Sequence, residues 1–314
     1  MRARIIDALF AEMQRNEDIF FLTADMGINL VERFQEAFPS RFVNVGIAEQ
    51  NLIGISAGLC NTGYRPFVYT ISNFLIHRCF EQIRNDIALH GYPVVLLGTS
   101  AGFDNAPLGA THHVLDDWGA LRAIPGIDIY SPATVGYASR IVEMTLARGR
   151  PAYVRLPKGG WEQPASTDDV VYLAARTERE VLIVSYGSSV QKCLAVQAAH
   201  DQVSVLVCNR LRPLPEEPLA EALAGHRHVL VVEDHFPSSG LYGVLCQFVV
   251  EHGLSCTLES IAPPEAYPLK VGESPAYYER LYRLDAGSIA EAVARRTLEP
   301  AQAATSAGQT SHGR

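Results

Sequence analysis

Asn44-Val45-Gly46-Ile47-Ala48-Glu49-Gln50-Asn51 places one carboxylate between two apolar runs. Phe42-Val43-Asn44-Val45 precedes it and reads as a strand. Leu52, Ile53, Gly54, Ile55, Ala57, Gly58 and Leu59 follow, so a helix begins near Glu49 and runs to about Leu59. A carboxylate at such a junction is either an exposed cap on the helix N-terminus or a partly buried acid with a raised pKa.

Outward from this junction the same unit recurs. Apolar residues at helical spacing (Ile5, Ile6, Leu9, Phe10, Met13) predict a helix over 1–15. Further strands are expected at 19–24, 65–70, 93–97, 127–130 and 152–156, with helices at 32–38, 74–89 and 116–123 between them. Ser131-Pro132-Ala133-Thr134 reads as the cap of one more helix. Strands alternating with helices of this length imply a parallel, doubly wound α/β sheet. In such sheets ligands sit beyond the carboxyl ends of the strands. Asp25, Glu49, Ile71 to Phe74, Ser100 and Lys158 all follow strands and could converge there.

A polar stretch after Pro157 divides the chain, and a second α/β unit follows it. The expected organisation is one doubly wound domain over 1–160, a linker over 161–178, a second domain over 179–300, and a small-residue, polar, disordered tail over 301–314. The 314 residues are 48% hydrophobic and 19% charged, enough for two cores. A formal net charge of -8 argues against nucleic-acid or membrane-surface partners. No run nears the roughly 20 apolar residues of a membrane span. Met1-Arg2-Ala3-Arg4-Ile5-Ile6 lacks a signal-peptide layout. The six scattered cysteines read as buried free thiols of a reducing cytoplasm.

Five motifs then fall in a characteristic order: Gly46-Ile47-Ala48-Glu49-Gln50-Asn51, Phe74, Phe80-Glu81-Gln82-Ile83-Arg84-Asn85, Gly109-Ala110-Thr111-His112-His113 and Leu121-Arg122-Ala123-Ile124-Pro125-Gly126. In this order and spacing the chain resembles the C-terminal half of transketolase. It is similar also to the matching half of deoxyxylulose-phosphate synthase and to the β subunit of 2-oxoacid dehydrogenase E1. The likeness is strong over 18–160 and looser to about Glu299. It implies a pyrimidine-binding (Pyr-type) domain followed by a transketolase C-terminal-type domain. The family holds the diphosphate of thiamine diphosphate through Mg²⁺ on a Gly-Asp-Gly motif with a later Asn, and this chain contains no Gly-Asp-Gly. The resemblance therefore implies a split transketolase. A separate N-terminal subunit would carry Gly-Asp-Gly…Asn and the metal, in an α2β2 heterotetramer, and this chain alone would be inactive with no metal site of its own.

The resemblance also implies roles. Glu49 matches the glutamate that hydrogen-bonds the aminopyrimidine and activates the cofactor, which favours the buried-acid reading. Phe74 matches the aromatic stacked on that ring. Ile71 stands at an earlier aromatic position, and a later one falls at Ile76 or His77. Arg78 matches an arginine that serves either a structural salt bridge or a ligand. His112 matches the histidine facing the donor's oxygens, and His113 stands where a glutamine is usual. Leu108 replaces an aspartate that reads an acceptor hydroxyl, with Asp104 nearby as a substitute. Ser100 and Lys158 fall where relatives carry phosphate-binding His or Arg. Lysine still binds phosphate as a point charge. Asp25 and Asn29 fall in a loop near the substrate channel. Glu233-Asp234-His235 with Ser239-Gly240-Leu241-Tyr242-Gly243 matches a turn that is structural and stabilises assembly.

The expected reaction is two-carbon ketol transfer from a ketose, sugar or sugar phosphate, to an aldehyde. The departures at Ser100, Leu108 and Lys158 fit a specialised pathway. The rival readings are a decarboxylating synthase or E1 β-type subunit, distinguished by CO₂ release, and a non-catalytic regulatory subunit, against which Glu49 speaks. A nicotinamide enzyme is disfavoured because no G-x-G-x-x-G follows the first strand.

Overall fold

The computed structural model describes residues 1–158, 166–177 and 180–297. Gly159-Gly160, part of the expected linker (161–165 and 178) and the expected disordered tail 301–314 lie outside the described residues. In chain order the first part runs α1 (Arg2–Met13), β1 (Ile19–Thr23), α2 (Glu32–Ala37), β2 (Phe42–Asn44), α3 (Glu49–Asn61), β3 (Arg65–Ile71), α4 (Ser72–Ile76), α5 (Phe80–Gln82), β4 (Val95–Thr99), α6 (Asp117–Leu121), β5 (Asp128–Tyr130), α7 (Val135–Arg148) and β6 (Ala152–Leu156). The second part runs β7 (Val170–Leu173), β8 (Val181–Ser185), α8 (Val190–Ala199), β9 (Val203–Cys208), β10 (Arg210–Arg212), α9 (Glu216–Ala224), β11 (His228–Val232), α10 (Leu241–Glu251), β12 (Thr257–Ile261), α11 (Pro275–Leu281) and α12 (Ala286–Thr297).

Two sheets result. Seven strands lie in the order β10-β5-β6-β4-β3-β1-β2 and five in the order β12-β11-β8-β9-β7. Strand side chains alternate between faces with period two. In β1, Ile19 and Phe21 join the apolar cluster under α1 and α7, while Leu22 joins the cluster on the other face. In β8, Leu182 and Val184 join that same second cluster, and Val181 and Ile183 pack toward α8 and α12. One continuous apolar core therefore runs from one face of the first sheet to one face of the second. α7 starts as its sequence predicts: Thr134 Oγ1 accepts the Tyr137 N–H at 3.3 Å, and Gly149 closes the helix in the left-handed region at φ 58°.

Four sequence expectations need correction. The sheets are not wholly parallel, because β10 pairs antiparallel with β5, and β7 with β9. β7 lies inside the expected linker, where a half-buried strand completes the edge of the second sheet. β10 belongs by sequence to the second part yet extends the first sheet, so the two parts interlock. The single helix expected over 74–89 is broken. α4 ends at Ile76, His77 and Arg78 leave the helix, and after α5 the chain forms a π-helical turn over Ile83–Ala88. The break falls where two side chains turn to distant carboxylates, His77 to Asp116 and Arg78 to Glu49. The six cysteines are all free, with Cys79, Cys193 and Cys208 buried.

Candidate active site

The parallel strands end on one edge, and the loops after them carry the expected site residues. β2, β1, β3, β4 and β6 are successive neighbours, so the strands that Glu49 and Lys158 follow, β2 and β6, lie four strand spacings apart, about 19 Å at the usual spacing. Glu49 opens α3 and is 3% exposed. The buried-acid reading holds in its burial, but the carboxylate has a partner: Arg78 Nη1 donates to Oε2 at 2.6 Å. Among the described residues no donor reaches Oε1. The Arg78 guanidinium also lies 4.6 Å from the centre of the Phe74 ring. Phe74 in turn meets the His112 ring edge-on at 5.2 Å. Glu49, Arg78, Phe74 and His112 thus form one contiguous chain of contacts.

Beside it opens a cleft of about 400 Å³, lined by Asn73, Phe74, His77, Arg78, Thr111 and Asp116 among others. Asn73 fixes its far wall by donating from Nδ2 to the carbonyls of His113 at 2.6 Å and Thr111 at 3.3 Å. Thr111 Oγ1 lies 3.0 Å from His112 Nδ1, which leaves Nε2 of that ring for a ligand. Asn73 carried no signal in the sequence beyond its place after a strand. Ile71, at the end of β3, is buried and is not among the residues lining the cleft.

The remaining expected residues are not all drawn in. His113 borders the cleft but is only 2% exposed, packed edge-on against Phe103 and Tyr278 at 5.2 and 4.7 Å. Its Nε2 faces the Ala106 carbonyl at 3.3 Å, and burial lowers its pKa. Its position fits packing of the loop rather than direct substrate contact. Ser100 is likewise 2% exposed and held at φ 72°, so it shapes the turn after β4. Asp25 and Asn29 occupy a separate loop at φ 49° and 64°. Asp25 N–H donates to Asn44 Oδ1 at 3.0 Å, and Asn29 N–H to Glu32 Oε1 at 2.8 Å. Lys158 is exposed, yet its ammonium donates to Asn105 Oδ1 at 2.6 Å and the Asp104 carbonyl at 3.0 Å. The Asp104 carboxylate accepts the Lys158 N–H at 2.6 Å, and burial pushes its pKa up to about 6. Asp104 therefore anchors Lys158 and does not stand in for the aspartate missing at Leu108.

A buried charged network that the sequence reading missed joins this edge to the second sheet. Arg155, wholly buried in β6, pairs with Asp117 at 3.1 Å and with Asp234 at 2.8 Å. Tyr153 donates to the same Asp117 carboxylate at 2.5 Å, and Ser188 to Asp234 at 2.7 Å. An arginine inside the apolar run Ala152–Leu156 was the available signal. Glu233 is also fully buried, accepting the backbone N–H groups of Leu241 and Tyr242 at the start of α10. Burial raises its pKa to about 7. Glu233 and Asp234 are thus both engaged in internal contacts.

The cofactor implied by the sequence can be tested against these groups. A buried carboxylate with one oxygen open and a neighbouring aromatic face fit a protonated heteroaromatic ring. Among the described residues no group of three or more His, Cys, Asp or Glu could hold a metal ion. No helix among the described residues is long and apolar enough to cross a membrane.

Comparison with known proteins agrees. Residues 1–163 match the family described as transketolase, pyrimidine binding domain, and residues 172–289 match transketolase, C-terminal domain. The chain is 30% identical over 266 residues to one subunit of the apulose-4-phosphate transketolase of Actinobacillus succinogenes, covering 81% of this chain and 85% of that protein. It is 31% identical to 1-deoxy-D-xylulose-5-phosphate synthase of Syntrophus aciditrophicus, covering 89% of this chain but only 44% of the synthase. A solved split-gene transketolase, described as an inactive β4 tetramer, superposes with a TM-score of 0.82 at 28% identity, covering 94% of this chain and 97% of that one.

Proposed function

The chain belongs to the transketolase family, and from that premise we propose that it is the subunit of a split transketolase that activates the cofactor and binds the sugar. The relatives matched over most of their length are one subunit of a transketolase and a split-gene transketolase, which supports a separate N-terminal partner. That partner would carry Gly-Asp-Gly…Asn and the Mg²⁺, in an α2β2 assembly in the cytoplasm. Thiamine diphosphate, when bound, supplies the carbon nucleophile that takes up a two-carbon ketol unit from a ketose and releases it to an aldehyde.

The observation that carries the reading is Glu49. Its buried carboxylate is held at Oε2 by Arg78, leaving Oε1 to share a proton with a pyrimidine ring nitrogen. Phe74 offers the ring a face to stack on, and Ile71 seats beneath it. Arg78 keeps Glu49 in register and lies against one side of the Phe74 ring, leaving the other for the pyrimidine. His112, oriented through Thr111, donates to the oxygens of the ketose and steadies the hydroxyl whose proton must leave. Lys158 marks the far end of the edge, where a phosphate of the sugar would lie, while Asp25 and Asn29 border the channel. The relatives named for apulose 4-phosphate support a sugar phosphate as substrate.

The test is the product. The chain reconstituted with its partner, thiamine diphosphate and Mg²⁺ should convert a ketose and an aldehyde into a ketose longer than the acceptor by two carbons, without CO₂. Release of CO₂ from pyruvate with no ketol transfer would replace this reading by the decarboxylating one.

A further inference from the structure

His77 lines the same cleft and has no part in the chemistry so far. It closes α4, and its side chain is 39% exposed. Its Nε2 lies 2.9 Å from Asp116 Oδ1. Tyr267, from the second part of the chain, donates its hydroxyl to the other oxygen of that carboxylate at 2.7 Å. The Tyr267 ring is itself held edge-on by Phe236 at 5.4 Å. Both Asp116 oxygens are therefore taken. Asn73 is committed to two carbonyls and Arg78 to Glu49. Among the described residues nothing takes His77 Nδ1, so His77 has a donor to offer, beside the Arg78 N–H groups that Glu49 leaves free.

A carboxylate on one imidazole nitrogen fixes the ring and favours a proton on both nitrogens. Thr111, next to His112, lines the cleft as well. Phe74, whose ring the His112 ring meets at 5.2 Å, lines the cleft together with His77, so a ligand held by His112 would lie beside the space that His77 lines. A flat pyrimidine finds its stacking face on Phe74, whereas the His77 ring is turned to a carboxylate. We propose that His77 is a specificity-determining residue whose Nδ1–H, positioned by Asp116 and Tyr267, donates a hydrogen bond to a hydroxyl or carbonyl oxygen of the sugar substrate. This rests on the transketolase reading and assigns one more residue to the same site.

The hydrogen bond to Asp116 raises the His77 pKa against the opposing effect of burial, and the charges of Asp116 and Asp117 add to the rise. Asp117 lies deeper, paired with Arg155, and Tyr267 faces Asp116. Arg78, the next residue in the chain, is neutralised by Glu49. A raised pKa keeps the imidazolium to higher pH than a free histidine does. The donor is present at low pH and is lost as pH rises through the raised value.

The experiment uses the reconstituted complex, with hydroxypyruvate as donor probe and glycolaldehyde as acceptor probe, and KM for each followed across the neutral to basic range. His77→Phe should raise KM for one probe about tenfold, as loss of one hydrogen bond implies, with a smaller change in kcat. The probe affected tells whether the oxygen belongs to donor or acceptor. His77→Gln, which keeps a donor, should recover part of the loss without the basic limb of kcat/KM. Asp116→Asn should move that limb, and the His77 imidazole titration seen by ¹⁵N NMR of the full chain, to lower pH. Unchanged KM for both probes in His77→Phe, or a limb that Asp116→Asn does not move, overturns the proposal. Should the wild-type complex lack ketol transfer, the functional reading fails separately. The proposal then stands or falls on whether hydroxypyruvate or glycolaldehyde shifts the His77 resonance.

Discussion

Glu49→Gln, in the assembled complex, is expected to lower turnover by about 100- to 10,000-fold, the range that a positioned proton-transferring group contributes. The substitution keeps size and shape, so α3 and its apolar face, Leu52 and Ile53, remain packed. Arg78 loses its charged partner, but its side chain is 44% exposed and water can take its place. Assembly and cofactor binding should therefore survive, and the loss should fall on kcat. Steady-state turnover measured beside a gel-filtration profile checks both halves. A variant that keeps more than about a tenth of its turnover would remove Glu49 from the chemistry, since so small a loss is below what general acid–base catalysis typically supplies.

The largest stability effect is expected at Arg155. Its guanidinium bridges Asp117 of the first sheet's edge and Asp234 beyond β11, and all three groups are buried. Arg155→Ala leaves two carboxylates without their cation in a dry setting, a change that typically costs about 3–5 kcal/mol. The penalty arises from the stranded charges rather than from the worth of the pair. Arg155→Met with Asp117→Asn and Asp234→Asn should recover much of it. Denaturant midpoints of the three forms measure this. A single variant within about 1 kcal/mol of the parent would mean that water or rearrangement already compensates the network. Because the bridge joins the two sheets, its loss should also loosen their packing, and with it the reach of Tyr267 to Asp116.

Part of the fold around the candidate site was legible in the chain. The βα junction at Glu49, the strand at the start of the first sheet and the Thr134 cap follow from local chemistry, and the structure has them. The helix over 74–89 misled because Phe80, Ile83 and Ile87 keep a helical period across the break. What breaks it is Arg78 reaching 29 residues back to Glu49, and His77 reaching 39 residues on to Asp116, pairings that no local pattern reveals. β7 was hidden for a related reason. Val170-Val171-Tyr172-Leu173 is an apolar, β-branched run between polar flanks, but only four residues long and at a sheet edge, and it was read with the polar segment around it. Ser100 and His113 were placed by position within a family motif, and position does not report burial. The β4 turn and the Phe103–Tyr278 packing enclose them.

On the proposed function, Glu49, Phe74 and His112 would form the pyrimidine and sugar side of a site whose diphosphate side would come from another chain. The direct measurement is ketol-transfer turnover of this chain alone, of the partner alone, and of mixtures titrated from one to the other, with thiamine diphosphate and Mg²⁺ present throughout. Neither chain alone should turn over, and activity should rise with added partner to a plateau at one chain of each kind. Turnover by this chain alone at a rate near that of the mixture would contradict the divided site.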